Sequence, residues 1–210
     1  MPTTPPQTAR APRTAATAND PRWVRSRERL HAAVLELART APAASITGTA
    51  LASAASVHRS TIYEHGTDPV DVLRSALRAE LDEIRERHLE EATPETIVTA
   101  IGAAANDVFD HIERHAAVYA RELAAGTTGL AAMLAEHFAH SVTLLIEHGT
   151  ITPPAIDDDE PARFAQTVAA ASAATTVAVI TDWLRDPEPR DRALLLRRWR
   201  AVQPAWWPQT

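Results

Sequence analysis

The chain has 210 residues, a formal net charge of −6, 45% hydrophobic residues and only 5% aromatic residues. It contains no cysteine, which excludes disulfide frameworks, thiolate zinc sites and cysteine nucleophiles. The charge is unevenly distributed: residues 1–65 hold 8 Arg and 4 acidic residues, whereas residues 66–210 hold 13 Arg and 23 acidic residues. Such an asymmetry indicates that the N-terminal end faces nucleic acid, although the net charge argues against a protein that coats it.

The first 21 residues contain five prolines, Thr, Ala and two arginines. This composition cannot bury a core, so we expect residues 1–21 to form a disordered basic tail. The segment lacks the apolar stretch of a secretory signal. The longest apolar run, residues 168–180, is shorter than the about 20 apolar residues that span a bilayer. We therefore expect a soluble, cytoplasmic protein with no membrane partner.

The first predicted helix runs from about Pro21 to Arg39 and stops before Pro42, which cannot continue it. Its apolar residues recur at helical spacing; they are Leu30, Val34 and Leu37.

Two short helices should follow, separated by a turn at Ser56. Thr47 has the character of an N-cap and opens a helix that ends at about Ala54. The second short helix runs from about His58 to His65, and Gly66 ends it.

Longer helices fill the rest of the chain. Asp68 is a good N-cap with Pro69 at the first helical position. Further helices are expected from Pro94, around residues 118–125, from Leu130, across residues 164–183 and across residues 191–202. No alternating strand pattern is present in the sequence, so we predict an all-α protein with a three-helix unit at residues 22–67 and a larger helical unit at residues 68–210.

Two short helices joined by a three- or four-residue turn are typical of a helix-turn-helix, whose second helix enters the major groove of DNA. Arg59 has the chemistry to pair with guanine, and the Thr47 hydroxyl suits a phosphate. The residues predicted to contact double-stranded DNA are Thr47, His58, Arg59, Ser60, Thr61, Tyr63 and His65. An ordinary solvated helix with outward polar residues would show a similar pattern.

The stretch "ITGTALASAASVHRSTIYEHGTDPVDVL" resembles the TetR family of bacterial regulators, and the match covers about residues 25–77. Three positions depart from the family pattern. Ser56 replaces the turn glycine, which places a non-glycine residue at positive φ at a cost of roughly 1 kcal/mol. Gly66 replaces an aromatic residue under the recognition helix, and Pro69 replaces a lysine that contacts phosphate.

Arginines near the N-terminus could compensate for these losses by lying along the DNA backbone or in a minor groove, or they could serve only to solubilise the tail. They are Arg10, Arg13, Arg22, Arg25 and Arg27.

The resemblance implies a homodimer in which the last two helices of each chain form a four-helix bundle. One helix-turn-helix reads few bases, and two would meet half-sites roughly 34–36 Å apart. The same residues would also suit an intramolecular core. The predicted interface residues are Val168, Ala171, Thr175, Val179, Trp183, Leu195 and Trp199.

The resemblance also implies a pocket for an unknown small-molecule effector in the fifth to eighth helices. Ligand binding there would change the spacing of the two DNA-reading heads. Each candidate lining residue would also suit a plain core, which is the more common role of such residues. The candidates are Phe109, Ile112, Tyr119, Met133, Leu134, Phe138 and Phe164.

Two histidine pairs, His111 with His115 and His137 with His140, have the helical spacing of metal ligands. Nearby acidic residues are Glu113, Glu122 and Glu136. A helical metal-binding or metal-sensing protein is therefore one alternative, and solvated or core histidines are another.

We predict a ligand-responsive transcriptional regulator, which in this family is most often a repressor, with no cofactor or resident metal. No nucleophile motif, glycine-rich phosphate loop or HExxH sequence is present, so an enzyme is not expected. The departures at Ser56, Gly66 and Pro69 leave a further alternative, a dimeric module that no longer binds DNA.

Overall fold

The computed structural model describes residues 20–157 and 160–208. These residues form nine α-helices and a short 3-10 helix at Ala43–Ser45, and no strand occurs among them, which confirms the all-α prediction. The predicted tail, residues 1–21, lies outside the described residues apart from its last two positions. The α-helices are α1 Pro21–Thr40, α2 Gly48–Ala54, α3 Arg59–His65, α4 Pro69–Leu89, α5 Ile97–Arg114, α6 Ala116–Ala125, α7 Leu130–Glu147, α8 Pro161–Trp183 and α9 Arg192–Ala201.

Local capping explains where several helices begin. The Asp20 side chain accepts a hydrogen bond from the Arg22 backbone N–H at 2.8 Å. The Asp68 carboxylate accepts one from the Asp71 N–H at 2.9 Å, and Pro69 is the first residue of α4, as the sequence predicts. α5 begins three residues later than the expected start at Pro94, because residues 93–96 first form a hydrogen-bonded turn.

The N-terminal unit, called here the head, consists of α1, α2 and α3 packed against the first half of α4. Its core is made by apolar residues that are at most 1% exposed; they include Leu30, Val34, Leu51, Ile62 and Val72. Because α4 contributes to this core and also packs on α5 and α7, the head rests on the rest of the chain through α4.

The remaining helices, α5 to α9 with the second half of α4, form the body. α7 and α8 pack together along most of their lengths, and α9 packs on α5 and α8. Trp183 at the end of α8 is fully buried, and its indole N–H donates to the Asp191 carbonyl at 3.0 Å, just before α9. This bond fixes the direction in which the chain turns from α8 into α9.

Helix α8 is long and apolar enough to cross a bilayer by length and composition, and only 22% of its most apolar 18-residue stretch is buried. Helices α6 and α7 pass the same test as a pair but are bent by 111°. The sequence argument that residues 168–180 are too short to span a bilayer was wrong, because the helix extends beyond that run on both sides. A single such helix is weak support for a membrane protein. It does show that α8 presents much apolar surface that residues 20–157 and 160–208 leave uncovered.

Candidate DNA-binding head, ligand cavity and histidine cluster

The head has helix-turn-helix geometry. The Thr47 hydroxyl oxygen caps α2 by accepting from the Ala50 N–H at 3.1 Å. Ser56 in the turn has a φ of 52°, so the positive φ predicted for this position is confirmed. The imidazole of His58 caps α3, with Nδ1 lying 3.4 Å from the Ser60 N–H nitrogen and 2.9 Å from its hydroxyl oxygen.

The outer face of α3 carries most of the predicted DNA-contacting side chains. His58, Arg59 and Ser60 are exposed, and Tyr63 is 56% exposed, whereas Thr61 is half-buried. Ile62 on the opposite face is buried in the head core and anchors the helix. The polar residues of the first turn of α3 are therefore held outward by the apolar contact behind them.

His65 is positioned differently from the other predicted contacts. Its Nε2 lies 2.8 Å from the Ser26 hydroxyl oxygen, and its ring centroid lies 4.6 Å from that of Trp23. These contacts hold the imidazole against α1 and away from the exposed first turn of α3, so they give its predicted DNA contact no support, and that contact stays a prediction. His65 fixes the end of α3 on α1. Sequence reasoning missed this pairing because the partners are about 40 residues apart.

The departures at Gly66 and Pro69 have structural reasons. Gly66 has extended backbone, with a φ of −174°. A Cβ at this position would lie 3.0 Å from the Asp71 Cβ and 3.3 Å from the Val72 backbone nitrogen. A side chain at this position would require Asp71 and Val72 to move by a few tenths of an ångström, because the chain enters α4 closely. Pro69 is half-buried in this tight entry as the first helical residue and supplies no positive charge.

A cavity of about 90 Å³ lies between α4, α5, α7, α8 and α9. Its apolar lining includes Ile101, Val108, Phe109, Phe138, Leu145, Trp199 and Trp207; its polar side chains include Arg85, His137, Ser141, Ser172, Thr176 and Gln203. Pockets for drug-sized ligands typically measure roughly 300–1,000 Å³. A ligand of that size therefore requires the lining helices to separate.

Only some of the predicted pocket residues line this cavity. Phe109 and Phe138 do, whereas Phe164 and Met133 border separate surface pockets. Ile112, Tyr119 and Leu134 are buried in the core and do not line the cavity. This cavity therefore gives these five residues no support, and their place in an effector pocket stays a prediction. Burial alone could not distinguish pocket from core, because both environments select apolar residues.

The polar side of the cavity is built around His137. Its Nδ1 lies 3.1 Å from an Asp82 carboxylate oxygen, and Arg85 donates to the same oxygen at 2.5 Å. Burial lowers the pKa of His137 to about 4, and this outweighs the opposing effect of Asp82. The imidazole is therefore neutral near pH 7. Arg85 is the cationic group of the lining.

The predicted dimer interface divides into two sets. Val168, Trp183, Leu195 and Trp199 are at most 7% exposed within a single chain. Their assignment to an exposed interface was wrong, because they fill the core between α8 and α9. The other three residues lie outside this core: Ala171 is exposed, and Thr175 and Val179 are half-buried.

One histidine pair belongs to a polar cluster in the body. His111 Nδ1 and His115 Nε2 each lie 3.0 Å from the same carboxylate oxygen of Glu80. The Tyr119 hydroxyl oxygen lies 2.8 Å from His111 Nε2. Hydrogen bonds with His111 and His115 hold the pKa of Glu80 well below its ordinary value, whereas burial lowers the pKa of His111. The three residues Glu80, His111 and His115 are called here the histidine cluster.

The acidic residues predicted beside the histidine pairs lie elsewhere. Glu113 is exposed, Glu122 bonds to the Ala43 N–H, and Glu136 pairs with Arg78. In the second pair, His137 is buried while His140 is exposed, and the described residues provide no third ligand for them. Sequence reasoning missed Glu80 because it lies on α4, 31 residues before His111.

No protein-family model matches the sequence, and no curated protein matches it. Solved structures do match the fold. A TetR-family transcriptional regulator from Streptomyces coelicolor has a TM-score of 0.57 at 16% identity, with 84% of this chain and 78% of that chain covered. The dihydroxyacetone kinase operon activator DhaS has a TM-score of 0.57 at 9% identity, covering 84% and 94% of the two chains. FadR from Thermus thermophilus, a TetR family repressor solved with lauroyl-CoA, has a TM-score of 0.54 at 21% identity, covering 82% and 90%. The chain therefore has a TetR-like fold, with an N-terminal helix-turn-helix head on a larger helical body.

Proposed function

We propose that this protein is a ligand-responsive transcriptional regulator that binds palindromic operator DNA as a homodimer. The observation that carries the proposal is the exposed first turn of α3, where His58, Arg59 and Ser60 project from a helix anchored by buried Ile62. The fold shared with transcriptional regulators supports it.

The proposed reading chemistry follows from the exposed groups. Arg59 pairs with the O6 and N7 acceptors of guanine, while His58 and Ser60 reach a neighbouring base edge. The Thr47 hydroxyl oxygen accepts its capping bond from Ala50, which leaves the hydroxyl hydrogen free to donate to a phosphate. The Tyr63 hydroxyl donates a hydrogen bond to a phosphate of the DNA backbone further along the same groove.

The test is selection of bound sequences from a random double-stranded DNA library, followed by measurement of affinity at several salt concentrations. We expect a palindrome, and Arg59→Ala should weaken binding roughly 5- to 100-fold and relax the choice of one base per half-site. Arg39→Ala is the matched control, because Arg39 is exposed at the far end of α1 and pairs with Glu36. Failure to enrich any sequence would favour the alternative of a dimeric module that no longer binds DNA.

We also propose that the effector is a largely apolar molecule with one polar group, which occupies the cavity and meets Arg85 and Ser141. Because the cavity measures about 90 Å³, a larger ligand must expand it and so favours a body conformation with separated helices. Such a change reaches the head through α4 and α6, which both contact it. Thermus thermophilus FadR, which has a similar fold, was solved with lauroyl-CoA, and the apolar lauroyl chain of that ligand supports an effector with a substantial apolar part.

The ligand class is tested by thermal shift with carboxylic acids and alcohols of increasing chain length. Acids should bind better than alcohols of equal length if Arg85 receives the polar group. Ala105→Leu, which fills the cavity, should abolish the shift, whereas Ala103→Leu on a part of α5 outside the cavity should retain it. A shift that survives Ala105→Leu would place the ligand elsewhere.

The homodimer is supported by an apolar face of α8 that no other part of the described chain covers. Four alanines on this face are exposed at helical spacing: Ala170, Ala171, Ala174 and Ala178. A stripe of small side chains allows two helix backbones to approach closely, and stable interfaces bury roughly 1,200–2,000 Å² in total. A second copy of the chain supplies the matching face by twofold symmetry.

A further inference from the structure

The histidine cluster combines three potential ligands from two helices and the turn between α5 and α6. One atom from each of Glu80, His111 and His115 lies within 4.8 Å of the others. His111 is 1% exposed, and the side chains of His115 and Glu80 are 11% and 31% exposed. We propose that these residues bind a divalent transition-metal ion of the Zn²⁺ class.

The spacing of the ligand atoms fits such an ion. Bonds of about 2.0–2.1 Å in tetrahedral geometry place neighbouring ligand atoms roughly 3.3 Å apart. The two imidazole nitrogens are 3.0 Å from the Glu80 oxygen. Each nitrogen therefore needs to move only a few tenths of an ångström away from that oxygen, and the two nitrogens, which lie within 4.8 Å of each other, need a side-chain adjustment of at most about 1.5 Å. Two imidazoles and one carboxylate also match the ligands that zinc prefers, with a fourth position left for water or another donor.

Tyr119 supplies the outer contact that metal-binding histidines usually make. Its hydroxyl lies 2.8 Å from Nε2 of His111, the ring nitrogen that faces away from Glu80. With the metal on Nδ1, Nε2 carries the proton, and this N–H donates a hydrogen bond to the Tyr119 hydroxyl oxygen. Such a bond fixes the tautomer and the orientation of the ligating ring.

A polar surface pocket gives the ion a route to the cluster. It is lined by Glu80 and His111 together with Glu83, Asp107, Asp110, Arg87 and Arg114. Four acidic residues line the pocket, and they outnumber its two arginines together with Arg192, which pairs with Asp110 from outside the lining. The local charge therefore favours a cation. Arg114 is the opposing group, with Nη1 3.4 Å from Glu80, but its side chain is 64% exposed and can turn into solvent when the ion binds.

The location gives the ion a mechanical effect. Glu80 belongs to α4, which supports the head, whereas His115 precedes α6, which also contacts the head. Bound metal would tie these two supports together. The site itself does not depend on the proposed DNA-binding function, so its test uses metal binding and stability alone.

The experiment uses full-length protein purified without a histidine tag, stripped with EDTA and titrated with Zn²⁺ by calorimetry. We expect one equivalent to bind and the melting temperature to rise. Glu80→Gln and His115→Ala should each weaken binding by at least roughly tenfold and remove the rise. His140→Ala is the matched control, because His140 is an exposed histidine outside the cluster, and it should bind like wild type.

Co²⁺ provides a second readout, because in the tetrahedral geometry proposed for this site its visible absorption is far more intense than that of the six-coordinate solvated ion. Glu80→Gln retains the size of the side chain. If His115→Ala fails to fold, the metal affinity of Glu80→Gln alone tests the proposal. Absence of Zn²⁺ binding by wild type overturns the proposal. Wild-type affinity in folded Glu80→Gln and His115→Ala overturns it as well, and the cluster is then a hydrogen-bond network alone.

Discussion

The Glu122 carboxylate on α6 accepts a hydrogen bond from the backbone N–H of Ala43 at 3.0 Å. Both residues are at most 2% exposed, and they are 79 positions apart in the chain. Arg121 pairs with the same carboxylate and also donates to the Ala38 carbonyl. These bonds satisfy backbone groups at the bend after α1, so α6 of the body completes the head.

Glu122→Ala should destabilise the protein by roughly 2–3 kcal/mol, because it leaves the buried Ala43 N–H without an acceptor. Glu122→Gln retains an acceptor oxygen and should lose less than half as much. Urea unfolding measures both changes, with exposed Glu113→Ala as a control expected within about 0.5 kcal/mol of wild type. A loss for Glu122→Ala no larger than that of the control would contradict the role of this bond.

Ser56→Gly should stabilise the protein by about 0.5–1 kcal/mol. Ser56 has a φ of 52°, and relief of the strain at its Cβ exceeds the added flexibility of the unfolded chain. The control is Ser53→Gly, which lies within α2 and should destabilise by about 0.5 kcal/mol through lower helix propensity. If the urea midpoints of Ser56→Gly and Ser53→Gly shift in the same direction, backbone strain at Ser56 does not dominate the change in stability.

The helices were predictable because their signals are local. Pro21, Asp68 with Pro69, and Gly66 mark helix boundaries through backbone chemistry that acts within a few residues. Positive φ at Ser56 was expected from the resemblance, in which a glycine occupies this turn position. The exposed first turn of α3 could also be predicted from the sequence, because polar residues recur there on the face opposite Ile62.

The parts of the sites that depend on distant contacts were not predictable. Glu80 meets His111 and His115 only because α4 packs on α5, and His65 turns inward because Trp23 lies beside it. Apolar periodicity places Trp199 on a buried face but does not say whether that face meets a partner chain or α5. In the fold it packs edge-on against Phe109 at the cavity.

Acid should destabilise the protein between about pH 6.5 and pH 4 through His137. Its folded pKa is about 4, whereas the unfolded value is about 6.5. Above pH 6.5 the imidazole is neutral in both states, and this destabilisation is absent. As the pH falls toward 4, the unfolded state binds the proton first, so stability declines by about 3 kcal/mol in total.

His137→Gln should reduce this pH dependence, measured as the free energy of unfolding in urea at pH 7, 6, 5 and 4. His31 contributes in the same direction, because burial lowers its pKa to about 4, so part of the slope remains. Exposed His140→Gln serves as the control and should retain the wild-type slope. An unchanged slope in His137→Gln would mean that His137 is protonated in the folded protein.

Ala174→Glu should convert the proposed dimer into a monomer. Ala174 is exposed in the middle of the alanine stripe on α8, so in a symmetric dimer the substitution places two carboxylates close together in an apolar interface. Light scattering should give twice the chain mass of 22.8 kDa for wild type and the single-chain mass for the variant. Ala131→Glu, at an exposed position in the first turn of α7, should remain dimeric. A monomeric wild type would refute the dimer, and loss of the dimer in Ala131→Glu but not in Ala174→Glu would move the interface from α8 to α7.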